Sequence, residues 1–170
     1  MDKHHLIIMR HAKSDRSDAD QADFDRPLAK RGVKAIPRMA AWLRENKLVP
    51  GRILSSPALR ARQTAEWLAT EIGFDINKII WDDRIYDASL SDLLQVIETG
   101  CGDASCVLMV GHNPGFDALL EHLSSTPPPR NEEGKLLTTA ALAVLDYGAR
   151  PIRPAAGGGK LLHLVRPGEL

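Results

Sequence analysis

The chain has 170 residues, 44% of them hydrophobic and 26% charged, with 22 basic against 22 acidic side chains. That length and balance predict one domain over residues 1–170 with a real buried core. A formal net charge of zero provides no whole-molecule field for nucleic acid, and no apolar run approaches the ~20 residues of a membrane span.

Leu6 to Met9 forms an apolar run the length of one buried strand, ending abruptly in Arg10-His11-Ala12-Lys13. Ser14 to Asp25 follows as a polar, aspartate-dense loop. Residues 28–46 predict a helix, with Ile36, Met39, Ala40 and Leu43 at helical spacing; Pro37 should kink it or mark a late start. Arg52 to Ser56 is a second short strand that turns at Pro57 into a helix over 57–72, closed by Gly73. Lys78 to Trp81 predicts a strand, and Ser91 to Thr99 a helix capped by Ser91. Cys106 to Val110 is the most apolar strand; it ends in Gly111-His112-Asn113-Pro114-Gly115 and is followed by a helix from Phe116 to Leu123. Ser124 to Lys135, with three consecutive prolines, predicts a surface loop, and Gly157 to Gly159 a flexible one. Thr139 to Asp146 and Lys160 to Val165 read as strands, the latter at a sheet edge. Strands alternating with helices predict a largely parallel sheet covered on both faces, without internal repeat or linker.

Ligands in such folds bind beyond the carboxyl ends of the strands. Three strand ends deliver Arg10 and His11, Arg60, and His112 to that region. Arginine offers a permanent forked cation for phosphate oxygens. Neutral histidine can serve as nucleophile, base or acid near neutral pH. Phosphoryl transfer spreads charge over three oxygens and needs mainly positioning and positive charge, which two arginines and two histidines provide. Helices starting near Pro57 and Pro114 would add backbone N–H groups. A purely structural role would instead make both arginines ion-paired surface residues and His112 a helix-start residue. No cluster of metal ligands stands out, and none is needed. Cys101 and Cys106 read as reduced thiols, with a redox switch as the alternative. His4 and His5 read as solvated residues ahead of the first strand, and His122 and His163 as structural. Charge follows Ile8-Met9 at once, unlike a signal peptide, so the expected location is cytoplasmic.

In order and at these spacings, Arg10-His11, Ser55-Ser56-Pro57-x-x-Arg60-Ala61-x-x-Thr64-Ala65 and Gly111-His112-Asn113-Pro114 resemble the histidine phosphatase superfamily. Arg10 to Ser14 and Asp25-Arg26-Pro27-Leu28-x-x-Arg31-Gly32 resemble its short SixA-type phosphohistidine phosphatase branch. The resemblance covers residues 5 to 147. It implies the phosphoglycerate mutase-like fold, a three-layer α/β/α sandwich around a mostly parallel central sheet with an antiparallel edge strand. It also implies a metal-independent phosphatase without cofactor, in which His11 is the nucleophile and Arg10, Arg60 and His112 contact phosphate. Its pattern places the functional arginine immediately before Ala61, so Arg60 is chosen over Arg62; two positions apart on a helix is about 200°, so both cannot face one site. By position Asp87 is the candidate general acid, with Asp83 second. Lys13 and Ser14 flank the pocket and are candidate phosphate contacts. The implied substrate is phosphohistidine on a protein, such as a histidine phosphotransfer domain. A small phosphomonoester is the alternative, and a catalytically silent phospho-binding domain the third reading. Short segments between motifs, which leave the site open, argue for the protein substrate and against mutase activity.

Overall fold

The alternation in Leu6-Ile7-Ile8-Met9 organises the molecule, because all four side chains are fully buried on opposite sides of one strand. In the computed structural model, which describes residues 3–170, that strand is β1 (His4–Arg10). Leu6 and Ile8 join a core with Leu93, Val96, Phe116 and Leu120. Ile7 and Met9 join a second core with Ile36, Leu43, Ala61 and Leu68 on the other face. A strand buried on both faces sits at the centre of a sheet covered twice.

The remaining strands are β2 (Arg52–Ser55), β3 (Ile80–Trp81), β4 (Cys106–Gly111), β5 (Leu142–Gly148) and β6 (Lys160–Val165). Their order is β3-β2-β4-β1-β5-β6. The first four pair in parallel; β5 runs antiparallel to β1, and the edge strand β6 pairs antiparallel with β5. Helices α1 (Lys30–Glu45) and α2 (Leu59–Ile72) cover one face, and α3 (Leu90–Gly100) and α4 (Gly115–Leu123) the other. This is the three-layer α/β/α architecture expected. Among the described residues no helix is long and apolar enough to cross a membrane.

Several boundaries differ from the sequence expectations, each for a local reason. α1 runs through Pro37 without ending, since this proline faces solvent, where an unpaired carbonyl can be hydrated. α2 begins at Leu59 rather than at Pro57, with Ala58 as its N-cap. Asp75 accepts a hydrogen bond from the Asn77 amide, so residues 76–78 form a 3-10 turn and shorten the strand expected from Lys78. Ser89, not Ser91, caps α3, because Asp92 three residues later returns the bond to the Ser89 amide and completes a capping box. β5 starts at Leu142 because Ala140 takes a left-handed conformation (φ 64°) and donates its amide to the His11 carbonyl. His4 and His5 are not solvated residues ahead of the sheet; both lie half-buried in β1, where the His4 ring bonds the Gly148 carbonyl and His5 stands 3.9 Å from Asp146. His122 donates to the Pro154 carbonyl, and the His163 ring meets the edge of Trp42, so both are structural. Burial pushes the Cys101 thiol up to about 12 and Cys106 up to about 11, leaving both protonated at neutral pH.

Candidate active site

Parallel pairing sets Arg10 opposite Gly111, so the residues that follow, His11 and His112, leave adjacent strand ends together. Their ring centroids are 5.1 Å apart. Gly111 leaves no room for a side chain: a Cβ there would lie 2.4 Å from Phe116 Cζ, so glycine at this strand end lets that ring pack against the backbone.

His11 is 7% exposed and fixed through its main chain, its amide on the Gly111 carbonyl and its carbonyl receiving the Ala140 amide. Its Nδ1 lies 2.7 Å from the Ala12 carbonyl. A carbonyl only accepts, so Nδ1 carries the hydrogen and Nε2 keeps a free electron pair. Burial holds the imidazole down at about 3, well below its ordinary range, and His112, Arg60 and Arg10 add to that effect. At neutral pH His11 is therefore an uncharged base with a single exposed lone pair. His112 is likewise held down to about 4, first by burial and then by Arg60. Its Nε2 meets Ser56 Oγ at 2.8 Å, while its Nδ1 is buried without a protein partner.

The two arginines come from different elements, Arg10 from the end of β1 and Arg60 from α2. Arg10 anchors one nitrogen on the Leu137 carbonyl at 3.0 Å and leaves its Nε buried and unpartnered. The Asn113 side chain donates to the same Leu137 carbonyl, and the Leu137 amide donates to Asp117. Arg60, 9% exposed, comes from the first turn of α2. Thr64, one turn on, accepts the Ala12 amide and donates to the Arg60 carbonyl, tying that helix to the segment after β1. Arg62 points away, its side chain 49% exposed and 3.6 Å from Glu66. The helix phase expected from the sequence is the one observed.

Asp23 is a neighbour that local sequence pattern did not single out. It sits in a 3-10 turn (Asp23–Asp25), with its carbonyl on Arg60 Nη1 at 2.7 Å and its carboxylate on Arg60 Nη2 at 3.1 Å. Tyr86 donates to the same carboxylate at 2.7 Å, packs edge-on against Phe24, and turns its ring to His112 at 5.5 Å. The hydrogen bond from Tyr86, followed by Arg60, holds the Asp23 carboxyl below its usual range, so it is ionised. Asp87 is exposed in a left-handed conformation (φ 49°), and among the described residues its side chain makes no hydrogen bond. Asp83 lies in an exposed 3-10 turn. Ser14 is buried, its main chain bridged to Leu28, and Lys13 projects into a groove alongside α1. The structure thus gathers Arg10, His11, Arg60 and His112 into one cluster and leaves Lys13, Ser14 and Asp87 outside its hydrogen bonds. Ser56, Thr64, Asn113 and Asp23 join as its supports. No group of three or more His, Cys, Asp or Glu side chains among the described residues is placed to hold a metal ion.

Two neutral imidazoles with two guanidinium groups close by, at the carboxyl ends of parallel strands, are a combination able to hold and transfer a phosphoryl group. The family model of the histidine phosphatase superfamily (branch 1) matches residues 6–93. The chain belongs to that superfamily, in its SixA-type branch, and is a phosphatase. Phosphohistidine phosphatase SixA of Escherichia coli K12 is 33% identical over 147 residues, 81% of this chain and 82% of that one. An uncharacterised protein of Mycobacterium tuberculosis H37Rv is 37% identical over 117 residues, covering 69% of this chain and 70% of its own. A solved structure from Agrobacterium tumefaciens, described as a candidate SixA phosphohistidine phosphatase, superposes with a TM-score of 0.77 at 27% identity, covering 96% of this chain and 98% of that one.

Proposed function

We propose that this phosphatase removes phosphate from phosphohistidine on a protein, such as a histidine phosphotransfer domain, through a phosphohistidine of its own on His11. The observation that carries the mechanism is the bond from Nδ1 of His11 to the Ala12 carbonyl, which leaves Nε2 free beside Arg10, Arg60 and His112. In the first step Nε2 attacks phosphorus, a P–Nε2 bond forms, and the substrate's P–N bond breaks. The departing imidazole takes the bonding pair and leaves neutral, its other nitrogen having been protonated by solvent. Water then attacks phosphorus, the P–Nε2 bond breaks, and inorganic phosphate departs while the water's proton passes to solvent. Arg10 and Arg60 stabilise charge on the equatorial oxygens. His112, bonded to Ser56 and 5.1 Å from the His11 ring, adds a second imidazole beside the attacked phosphorus. No metal or cofactor enters these steps. An imidazole leaves more readily than an alkoxide, which lowers the demand for a strong acid and suits the exposed position of Asp87.

The openness of the site supports a protein substrate. Between α2 and α3 the chain holds two 3-10 turns and a two-residue strand, with no helical insert over His11. The rim beside Arg60 is the exposed pair Asp23 and Phe24. The relative named phosphohistidine phosphatase in Escherichia coli points to the same substrate class. The test is a panel of a phosphorylated phosphotransfer domain, free phosphohistidine, sugar phosphates and an aryl phosphate under one condition. The phosphoprotein should show the highest kcat/KM; a sugar or nucleotide phosphate outperforming every phosphoprotein would refute the substrate while sparing the mechanism. Quenched turnover should trap an acid-labile, base-stable phosphate adduct, and a chelator should leave the rate unchanged. His11→Ala should lose adduct and turnover together, and a fully active variant would end the mechanism.

A further inference from the structure

Beside the phosphoryl site runs a second feature that the chemistry above does not use. A groove of about 550 Å³ lies between the first half of α1, the segment Thr138–Ala140 and the turn at Pro167–Gly168. Four cations line it, Lys13, Arg31, Lys34 and Arg38, and no carboxylate does. Among the described residues, none of the four has an acidic side chain within 4 Å, although eight ion pairs form elsewhere. Arg38 instead donates to the main-chain oxygens of Pro167 and Leu170, at 2.7 and 3.4 Å, which ties the two walls together. In a chain whose formal net charge is zero, this is a local excess of positive charge.

The excess works against the stability of α1. Arg31, Lys34 and Arg38 fall at i, i+3 and i+7, one stripe of like charges. Lys30 and Arg31 occupy the first turn, which carries no acidic residue, although a helix start favours negative charge. Packing does not require these side chains, since all are exposed. Packing does require Gly32, because a Cβ there would lie 2.3 Å from the Lys13 carbonyl; the groove wall is thereby pressed against the segment leaving His11. Ala140, on the opposite wall, bonds the His11 carbonyl. Lys13 is two residues from His11, within about 7 Å of chain.

We infer that this groove is an acidic-segment docking site: it receives a run of carboxylates on the protein that carries the phosphohistidine. The inference rests on the reading of the substrate given above. The length of the stripe favours a protein segment. Seven residues of helix rise about 10 Å, longer than one phosphate or sugar phosphate, and matched by carboxylates spaced along a surface helix or extended segment. The aspartate-rich loop 15–25 borders the phosphoryl site as well, so an acidic segment is repelled there and drawn to α1. That contrast would fix the direction in which a partner lies.

The test uses two synthetic phosphohistidine peptides that differ only in flanking residues, glutamates in one and glutamines in the other. The full chain should prefer the glutamate peptide by about tenfold in kcat/KM, through KM, with the preference shrinking as salt rises. Arg31→Glu/Lys34→Glu should abolish or invert that preference while hydrolysis of an aryl phosphate stays within twofold of wild type, about the scatter of surface changes. Equal rates on both peptides, or a preference that survives the double reversal, would overturn the docking site. A binding arm separates this from failure of the substrate reading: the unphosphorylated, fluorescently labelled glutamate peptide should bind wild type and not the reversed variant. If neither phosphopeptide is turned over yet that binding difference appears, docking stands and the substrate assignment falls. If inorganic tripolyphosphate binds in a reversal-sensitive way while the peptide does not, the groove serves a small polyanion and the inference is wrong.

Discussion

His11 is buried as a neutral base, and that burial makes a quantitative demand on stability. Unfolded, its imidazole titrates near 6.5; folded, burial holds it at about 3. Between those values the unfolded chain binds a proton that the native state refuses. Stability therefore rises with pH through this window and is lost as pH falls from about 6.5 toward 3. At about pH 5 the unfolded state has gained roughly 1.5 units of proton affinity, or about 2 kcal/mol at ~1.4 kcal/mol per unit. His112, held at about 4 by burial and Arg60, contributes a similar amount, so the pair accounts for about 4 kcal/mol. That is a large part of a domain's typical ~5–15 kcal/mol. Urea unfolding of wild type at about pH 7.5 and about pH 5 measures the drop directly, and His11→Asn should shrink it by about 2 kcal/mol. An unchanged drop in the variant would mean that His11 takes up its proton in the native state at an ordinary pKa. The nucleophile would then be half-charged near pH 6.5, and the basis of its proposed role would be gone.

Further expectations concern the surrounding residues. Arg60→Ala removes a donor to developing phosphoryl charge, worth on the order of 3 kcal/mol, so kcat should fall about a hundredfold. Arg62→Ala, which loses only an exposed pair with Glu66, should stay within about threefold; the reverse ranking would show that the helix face is misassigned. Asp23→Ala removes the carboxylate that holds Arg60 Nη2 and the Tyr86 hydroxyl, while the main-chain bond to Arg60 Nη1 stays, and should cost about tenfold in kcat/KM, near the value of one charged hydrogen bond. Asp87→Asn should change phosphoprotein turnover by less than about threefold if solvent protonates the leaving imidazole. A collapse confined to alkyl or aryl esters would mark Asp87 as their proton donor. Ser89→Ala breaks the α3 capping box and should lower stability by about 1 kcal/mol without changing KM, read by thermal unfolding alongside kinetics.

Arg10, His11 and His112 were legible in the sequence because each stands where an apolar strand stops, and strand ends are where this architecture places ligands. Arg60 was legible from the family resemblance, whose pattern places the arginine immediately before Ala61, and helix phase then set Arg62 on another face. Asp23 was not. It is one of five aspartates between Ser14 and Asp25, and nothing in local pattern distinguishes it. What selects it is Tyr86, 63 residues away, and the edge-on packing of Phe24 on that ring. A lone aromatic in a polar loop was the available signal. Ala140 was equally hidden, since alanine carries no preference for positive φ; only its bond to the His11 carbonyl explains where β5 begins. The cap of α3 was misplaced because the reciprocal partner Asp92, rather than the serine alone, decides between Ser89 and Ser91.

The register of β1 against β4 has a consequence for how the enzyme comes apart. His11 and His112 are neighbours because two strands with fully buried centres align Arg10 with Gly111, and shifting either strand by one residue would turn its side chains to the opposite face. The amide of His11, bonded to the Gly111 carbonyl, should thus exchange hydrogen only when the whole sheet opens. The turn that carries Asp23, exposed and held by a few polar contacts, can open by itself at far lower cost. The turn beside Arg60 and the register of the two histidines therefore belong to separate unfolding events, so the rim of the site can open while His11 and His112 keep their places.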